Sequence, residues 1–274
     1  MPIEMSFKDH IYELRSRILR IAISILAITI FCMTFGIEKI DLNYENSEII
    51  IIDTIFYPYP NPLDNIAIQI TGYMKENLVP TGVELIQTAP GQAFFAQVYV
   101  AILIGMIITI PIIVKETYEF VFPAIEKDKR KKKIKLIKML FPIILLFITG
   151  LVFAYVLVIP FTLDILYKYG ESLGVETFLN INDFISFVLQ FLLGFGVAFQ
   201  LPIIMYVISL SEIVDKNFWI RNFRYAIIIL VVFGAIITPD GSGVTMWFIT
   251  GPMTLLYLSG ILLIKMKTKD VVIK

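Results

Sequence analysis

Charge is scarce in this chain, and the places where it is missing carry information. Only 17% of the residues are Asp, Glu, Lys or Arg, against 58% hydrophobic. A soluble domain carries roughly a quarter charged residues and less than half apolar ones. No ionisable side chain lies in the middle of any long apolar run, where ion-coupled transporters and proton pumps place theirs. The one histidine, His10, excludes an HExxH zinc site and argues against a serine or cysteine triad. The one cysteine, Cys32, excludes an internal disulfide, and inside the first apolar run it reads as a small buried or lipid-facing side chain. There is no GxxxxGK[ST] loop for a nucleotide. These absences set aside an enzyme and a simple pump, and no cofactor, metal or nucleic acid is expected.

What is present is apolar and segmented. The mean hydropathy is +0.82, and a bilayer is the solvent that accommodates such a surface. A helix needs on the order of 20 apolar residues to cross the hydrocarbon. Runs that meet or approach this lie at about 18–37, 93–114, 139–163, 184–210, 223–237 and 244–264. The fifth is the shortest, and its core Tyr225–Ile237 reaches only about 20 Å as a helix. The turn Thr238-Pro239-Asp240-Gly241-Ser242-Gly243 permits only a tight hairpin between the last two. The expected fold is all-α, a single membrane domain of six transmembrane helices. The first run lacks a small-x-small cleavage site and follows Asp9 and Glu13, so it reads as a retained span rather than a signal peptide.

Orientation follows from the basic residues. Twenty of the 23 Lys and Arg fall before or at the start of the first run (Arg20), between the second and third, between the fourth and fifth or at the start of the fifth (Arg224), or after the sixth. Only Lys39, Lys75 and Lys168 fall on the other side. The positive-inside rule then puts both termini and the basic loop 115–138 in the cytoplasm, across a cell membrane. Outside lies the longest connection, 38–91, read as a cap. Glu48–Tyr57 reads as extended, and Leu63–Leu78 carries apolar residues at helical spacing between Pro62 and Pro80.

Ahead of the first span, Ser6 and Asp9 approach a capping box, and Phe7, Ile11, Leu14 and Ile18 form an apolar stripe. His10, Glu13, Arg17 and Arg20 form the polar stripe beside it. From spacing alone Glu13 has two readings. It is an i, i+4 partner of Arg17, or a carboxylate kept ionised by a basic setting that receives a ligand guanidinium in bidentate fashion.

The segment His10-Ile11-Tyr12-Glu13-Leu14-Arg15-Ser16-Arg17 resembles the HxxELRxR signature of the TatC family, the core subunit of the twin-arginine protein translocase. The resemblance continues at Pro111, at Phe120-Val121-Phe122-Pro123-Ala124-Ile125, at Gly194 to Pro202, and at Thr238-Pro239-Asp240, in the family's order and spacing. It implies a concave six-helix bundle that binds twin-arginine signal peptides of folded cargo. It also implies assembly with TatA/TatB-type single-span subunits, driven by the proton-motive force, within membrane lipid and alongside other copies of itself. By that resemblance the receptor surface comprises His10, Glu13, Leu14, Arg15, Arg17, Phe120 and Pro123.

Two positions depart from the family. The residue six after Pro123, usually glutamate, is Lys129, which cannot pair with an arginine. Glu126 or Asp128 is expected to take over, with Glu116 and Glu119 behind them; read plainly, the run is a solvated positive-inside determinant. Gln200 stands where the family often has glutamate. Either it contacts a partner helix or it bonds to a neighbouring helix beside the Pro202 kink. Asp240 either stabilises its turn or serves a function of its own. The alternative from another class, a small-solute secondary transporter or channel, predicts midplane charges and often an internal repeat. Neither is seen.

Overall fold

Twenty-eight residues without proline or glycine, Phe7–Thr34, form α1, which runs unbroken from a polar first half into an apolar second. In the computed structural model the chain is described for residues 7–41, 54–121, 129–210, 214, 217–238 and 243–267. It divides into two compact units: Met1–Asn77 with Ile86–Ile125 and Asn180–Ile185, and Leu78–Leu85 with Glu126–Leu179 and Ser186–Lys274.

In the first unit, α1 stops at Thr34 rather than continuing to Ile37. Residues Phe35–Asp41 form β1, paired antiparallel with β2, Thr54–Pro60, in the register Phe35↔Pro60 to Asp41↔Thr54. Pro58 and Pro60 have no N–H to donate, and a two-stranded ribbon tolerates them because each strand keeps an open edge. The chain then turns at Asn61, whose N–H reaches Thr34 O at 3.0 Å. Asn65 is 1% exposed, and its Oδ1 accepts from Ile68 N at 3.0 Å. It thus caps α2, Ile66–Leu78, and explains why the helix begins there and not at Leu63. The Gln69 amide pairs with both backbone groups of Ile37, at 3.2 and 3.1 Å, and ties α2 to β1.

Helix α3, Gln92–Val121, opens with the Gln92 Oε1 accepting from Thr88 N and Ala89 N. It packs antiparallel on α1. Gly105 makes this possible: a Cβ there would lie 3.0 Å from both Ile25 O and Thr29 Oγ1. Ala96, Val100 and Ala101 are buried on the same helix. The outer face of α1, by contrast, leaves Ile18, Ile23, Leu26 and Ile30 more than half exposed, the arrangement of a helix whose solvent is lipid.

In the second unit, α4, Lys129–Phe153, passes through a π-helical turn, Ala154–Val158, into α5, Ile159–Ser172. Pro160 accounts for the turn. It has no N–H for Val156 O, and the ladder widens so that Ile159 N–H reaches Ala154 O. Much of the expected loop 115–138 is therefore helical, as the last turns of α3 and the first of α4. The third apolar helix also extends well past 163. A short ladder joins β3, Glu84–Ile86, to β4, Phe178–Asn180. Helix α6, Ile181–Ala198, breaks at Phe199–Gln200 before α7, Leu201–Leu210, because Pro202 cannot continue the ladder. The small helix α8, Phe218–Arg221, precedes α9, Phe223–Ile237, and α10, Gly243–Lys267, packs on both α7 and α9. At Gly260 a Cβ would meet Met205 Sδ at 2.8 Å and Pro202 Cα at 3.2 Å, so that only glycine lets α10 approach α7 this closely.

Among the described residues five helical stretches are long and apolar enough to cross a membrane: Ile11–Thr34, Gln92–Thr117, Leu140–Ser172, Ile181–Ser209 and Thr245–Met266. The sixth, Phe223–Ile237, is apolar but has 15 residues. Its length of about 22 Å falls short of a hydrocarbon core of about 30 Å.

Candidate functional site

The register of α1 against α3 decides what meets at their polar ends. With Gly105 seated against Ile25, residues two turns earlier on α1 come opposite residues about three turns later on α3. Arg17 accordingly faces Glu116 and Glu119, which are three apart and share one face of α3. The Arg17 Nη1 lies 2.8 Å from Glu116 Oε2 and 3.2 Å from Glu119 Oε2. Its Nη2 and Nε donate to Glu13 Oε1 at 2.6 and 3.1 Å. Arg20 adds a second guanidinium, with Nη1 3.1 Å from Glu116 Oε1.

The cluster is graded in burial. The Glu116 side chain is 4% exposed, Arg17 12%, Glu13 26%, Glu119 32% and Arg20 53%. A carboxylate as buried as Glu116 is costly without close cationic partners, and it has two. Among the described residues three carboxylates share two guanidinia, so these five side chains carry one unmatched negative charge. That charge sits toward the open side. Among the described residues Glu13 Oε2 and Glu119 Oε1 receive no hydrogen bond, while Glu116 is occupied on both oxygens. The arrangement can accept one more guanidinium or ammonium through charge-assisted hydrogen bonds.

Of the residues expected from sequence, Glu13 and Arg17 meet in this cluster. Leu14 and Arg15 lie on exposed faces of α1, away from it. Phe120 is half-buried in the last turn of α3, next to Glu119. The His10 backbone is in α1, but its side chain lies outside the described residues, as do Pro123, Glu126, Asp128 and Asp240. Sequence reasoning placed Glu116 and Glu119 behind Glu126 and Asp128 and put Arg20 in the polar stripe of α1 without a partner on another helix. The i, i+3 spacing of the two glutamates at the end of an apolar helix was the available signal.

Gln200 sits at the break between α6 and α7. Its Nε2 donates to Ile143 O of α4 at 3.2 Å and to Gly196 O at 3.4 Å. Its Oε1 is buried and without a hydrogen-bond partner among the described residues. Pro202 is buried two residues on. The geometry is that of a bond between helices beside a proline break, with one acceptor left over. No group of His, Cys, Asp and Glu side chains among the described residues is placed to hold a metal ion.

Comparison with known proteins gives a consistent result. The family model for TatC, the Sec-independent protein translocase protein, matches residues 9–252. The Sec-independent protein translocase protein TatC of Cenarchaeum symbiosum (strain A) is 50% identical over 258 residues, 94% of this chain and 93% of that protein. The protein of the same name from Aquifex aeolicus (strain VF5) is 35% identical over 188 residues, 68% of this chain and 76% of that one. A crystal structure of the twin-arginine translocase receptor TatC matches with a TM-score of 0.74 at 28% identity, covering 95% of this chain and 100% of that chain.

Proposed function

Since this chain belongs to the TatC family, and is thus a polytopic membrane component of a protein translocase rather than an enzyme, we propose that it is the receptor that binds twin-arginine signal peptides of folded cargo. The carboxylate cluster of α1 and α3 carries this reading. Glu13 and Glu119 offer outward oxygens and a net negative charge to an incoming guanidinium. Glu116 and Arg17 hold them in place from behind. In this chain Glu119, rather than a residue at the Lys129 position, supplies the second carboxylate. The other arginine of the pair is assigned to Glu126 or Asp128, which lie outside the described residues. The apolar stretch of the signal peptide lies along the exposed apolar face of α1.

The distribution of Lys and Arg puts the termini and this cluster on the cytoplasmic side of the cell membrane. The chain crosses six times, with α9 as a short fifth span that thins the bilayer around it. Bound peptide leads to assembly of TatA/TatB-type single-span subunits and other copies of this chain, and the proton-motive force drives transport. The contact with a partner helix is assigned to Gln200 and Pro202, at the break between α6 and α7.

The test is binding of a twin-arginine signal peptide to the detergent-solubilised protein, beside a twin-lysine version and the Glu13→Ala variant. Arginine-selective binding that weakens at least about tenfold in Glu13→Ala is expected, since a hydrogen bond to a charged group contributes about 1.5–3 kcal/mol. Equal binding of both peptides to the unmodified protein would overturn the proposal.

A further inference from the structure

A cavity of about 350 Å³ lies in the second unit among α7, α8, α9 and α10, at the lower end of the roughly 300–1,000 Å³ typical of ligand sites. Its walls are almost wholly apolar: Leu201, Trp219, Tyr225, Ile229, Leu230 and Tyr257. The frame is rigid. Trp219 Nε1 donates to Ser209 Oγ at 2.7 Å, and Tyr257 OH donates to Trp219 O at 2.8 Å. Tyr225 is 50% exposed and Ile229 67%, so the cavity is open along α9.

Two arginines adjoin residues that line this cavity: Arg221 precedes Asn222 and Arg224 precedes Tyr225 in the chain. Arg221 closes α8 and Arg224 stands in the first turn of α9, both exposed and neither in an ion pair among the described residues. The Arg224 guanidinium lies 4.7 Å from the centroid of the Tyr225 ring, which lines the cavity, and its Nη2 donates to Tyr225 OH at 2.7 Å. The first turn of α9 adds to the charge. Asn222 precedes it but gives it no side-chain cap, and its Nδ2 donates back to Phe218 O at 3.0 Å. The Tyr225 and Ala226 amides donate to Asn222 O at 3.0 and 3.1 Å, which leaves the first two amides of the 15-residue helix, those of Phe223 and Arg224, for an external acceptor, and a helix N-terminus favours an anion.

An apolar slot bordered by two guanidinia without an ion pair among the described residues, and by a helix N-terminus without a side-chain cap, suits an amphiphile with an acidic head. We propose that this is a specific site for one anionic phospholipid. An acyl chain lies in the cavity against Trp219 and Ile229, and the phosphate is held by Arg221, Arg224 and the first turn of α9. A basic pocket between membrane helices is the usual setting for acidic headgroups. A soluble anion would leave the apolar walls empty, and a zwitterionic lipid would gain little from the two arginines. The site shares no residue with the carboxylate cluster and does not depend on the reading of that cluster.

Trp219 is a built-in reporter, because the chain has two tryptophans and Trp247→Phe leaves it alone. The single-tryptophan protein is placed in phosphatidylcholine nanodiscs. A small mole fraction of phosphatidylglycerol or phosphatidylcholine with brominated acyl chains is then included, and Trp219 quenching is read. Brominated phosphatidylglycerol is expected to quench several-fold more effectively at equal mole fraction. Arg221→Gln with Arg224→Gln is expected to erase that preference, each arginine accounting for roughly fivefold. Ala226→Leu, which narrows the cavity and leaves both arginines, is expected to reduce quenching by the anionic lipid. Equal quenching by the two headgroups, a preference that survives loss of both arginines, or full quenching in Ala226→Leu would each overturn the proposal.

Discussion

Replacing Arg17 by glutamine is the most informative single perturbation of the α1–α3 pairing. Arg17 reaches three carboxylates, Glu13, Glu116 and Glu119, and the Glu116 side chain is only 4% exposed. Removing one partner of a buried ion pair costs about 3–5 kcal/mol, because the remaining charge is stranded away from water. Two features reduce that figure here. Arg20 keeps its contact with Glu116 at 3.1 Å, and Glu13 and Glu119, 26% and 32% exposed, rehydrate readily. A loss of roughly 2–3 kcal/mol remains. Arg20→Gln, with a side chain 53% exposed, should cost less than about 1 kcal/mol. The assay is SDS-driven unfolding in mixed micelles, run as a double-mutant cycle with Glu116→Gln. Neutralising Glu116 removes the stranded charge, so the double variant should recover part of the loss, with a coupling of about 1–2 kcal/mol. An Arg17→Gln protein within about 0.5 kcal/mol of the parent, or a strictly additive cycle, would refute the reasoning.

Gly105→Val forces side-chain carbons into the α1–α3 contact, where even a Cβ would lie 3.0 Å from Ile25 O and from Thr29 Oγ1. It should cost about 1–3 kcal/mol in the same unfolding assay and weaken twin-arginine peptide binding by shifting Arg17 from the two glutamates of α3. Gln200→Leu removes two donated bonds of 3.2 and 3.4 Å but also a buried acceptor without a partner. Stability should change by less than about 1.5 kcal/mol, while co-purification of single-span subunits should fall; a large destabilisation with co-purification intact would mean the residue is purely structural.

The parts of the fold that were legible in the sequence are those governed by local chemistry. Long uncharged runs became apolar helices, Pro202 ended α6, and the short fifth run remained short at Phe223–Ile237. The β1–β2 ribbon was half legible. Residues near Tyr57 read as extended, but Phe35 and Ile37 look like the tail of an apolar helix until Thr54–Pro60 is known to pair with them. Nothing local signals a pairing across that much chain. The π turn before Pro160 follows from proline's missing N–H, although proline alone does not tell a widened ladder from a kink.

The site divides in the same way. Glu13 and Arg17 are an i, i+4 pair visible by counting, and the structure adds that Arg17 is shared. Bringing Glu116 and Glu119 to it depends on the antiparallel register of α1 and α3, fixed by the close approach at Gly105. A glycine in an apolar run reads the same whether it faces lipid or a backbone, so no spacing rule would have ranked those glutamates first. A buried carboxylate at 4% exposure is likewise a tertiary fact, made tolerable by guanidinia from another helix.

The most direct test of the central claim compares the affinity of a twin-arginine signal peptide for the unmodified protein with that for Glu119→Gln and for Glu126→Gln with Asp128→Gln. Titration in detergent solution with a twin-lysine peptide as reference gives the numbers. Loss of arginine selectivity in Glu119→Gln, by at least about tenfold in affinity, is the predicted result. Full arginine-selective affinity in Glu119→Gln would contradict the account and remove α3 from the receptor.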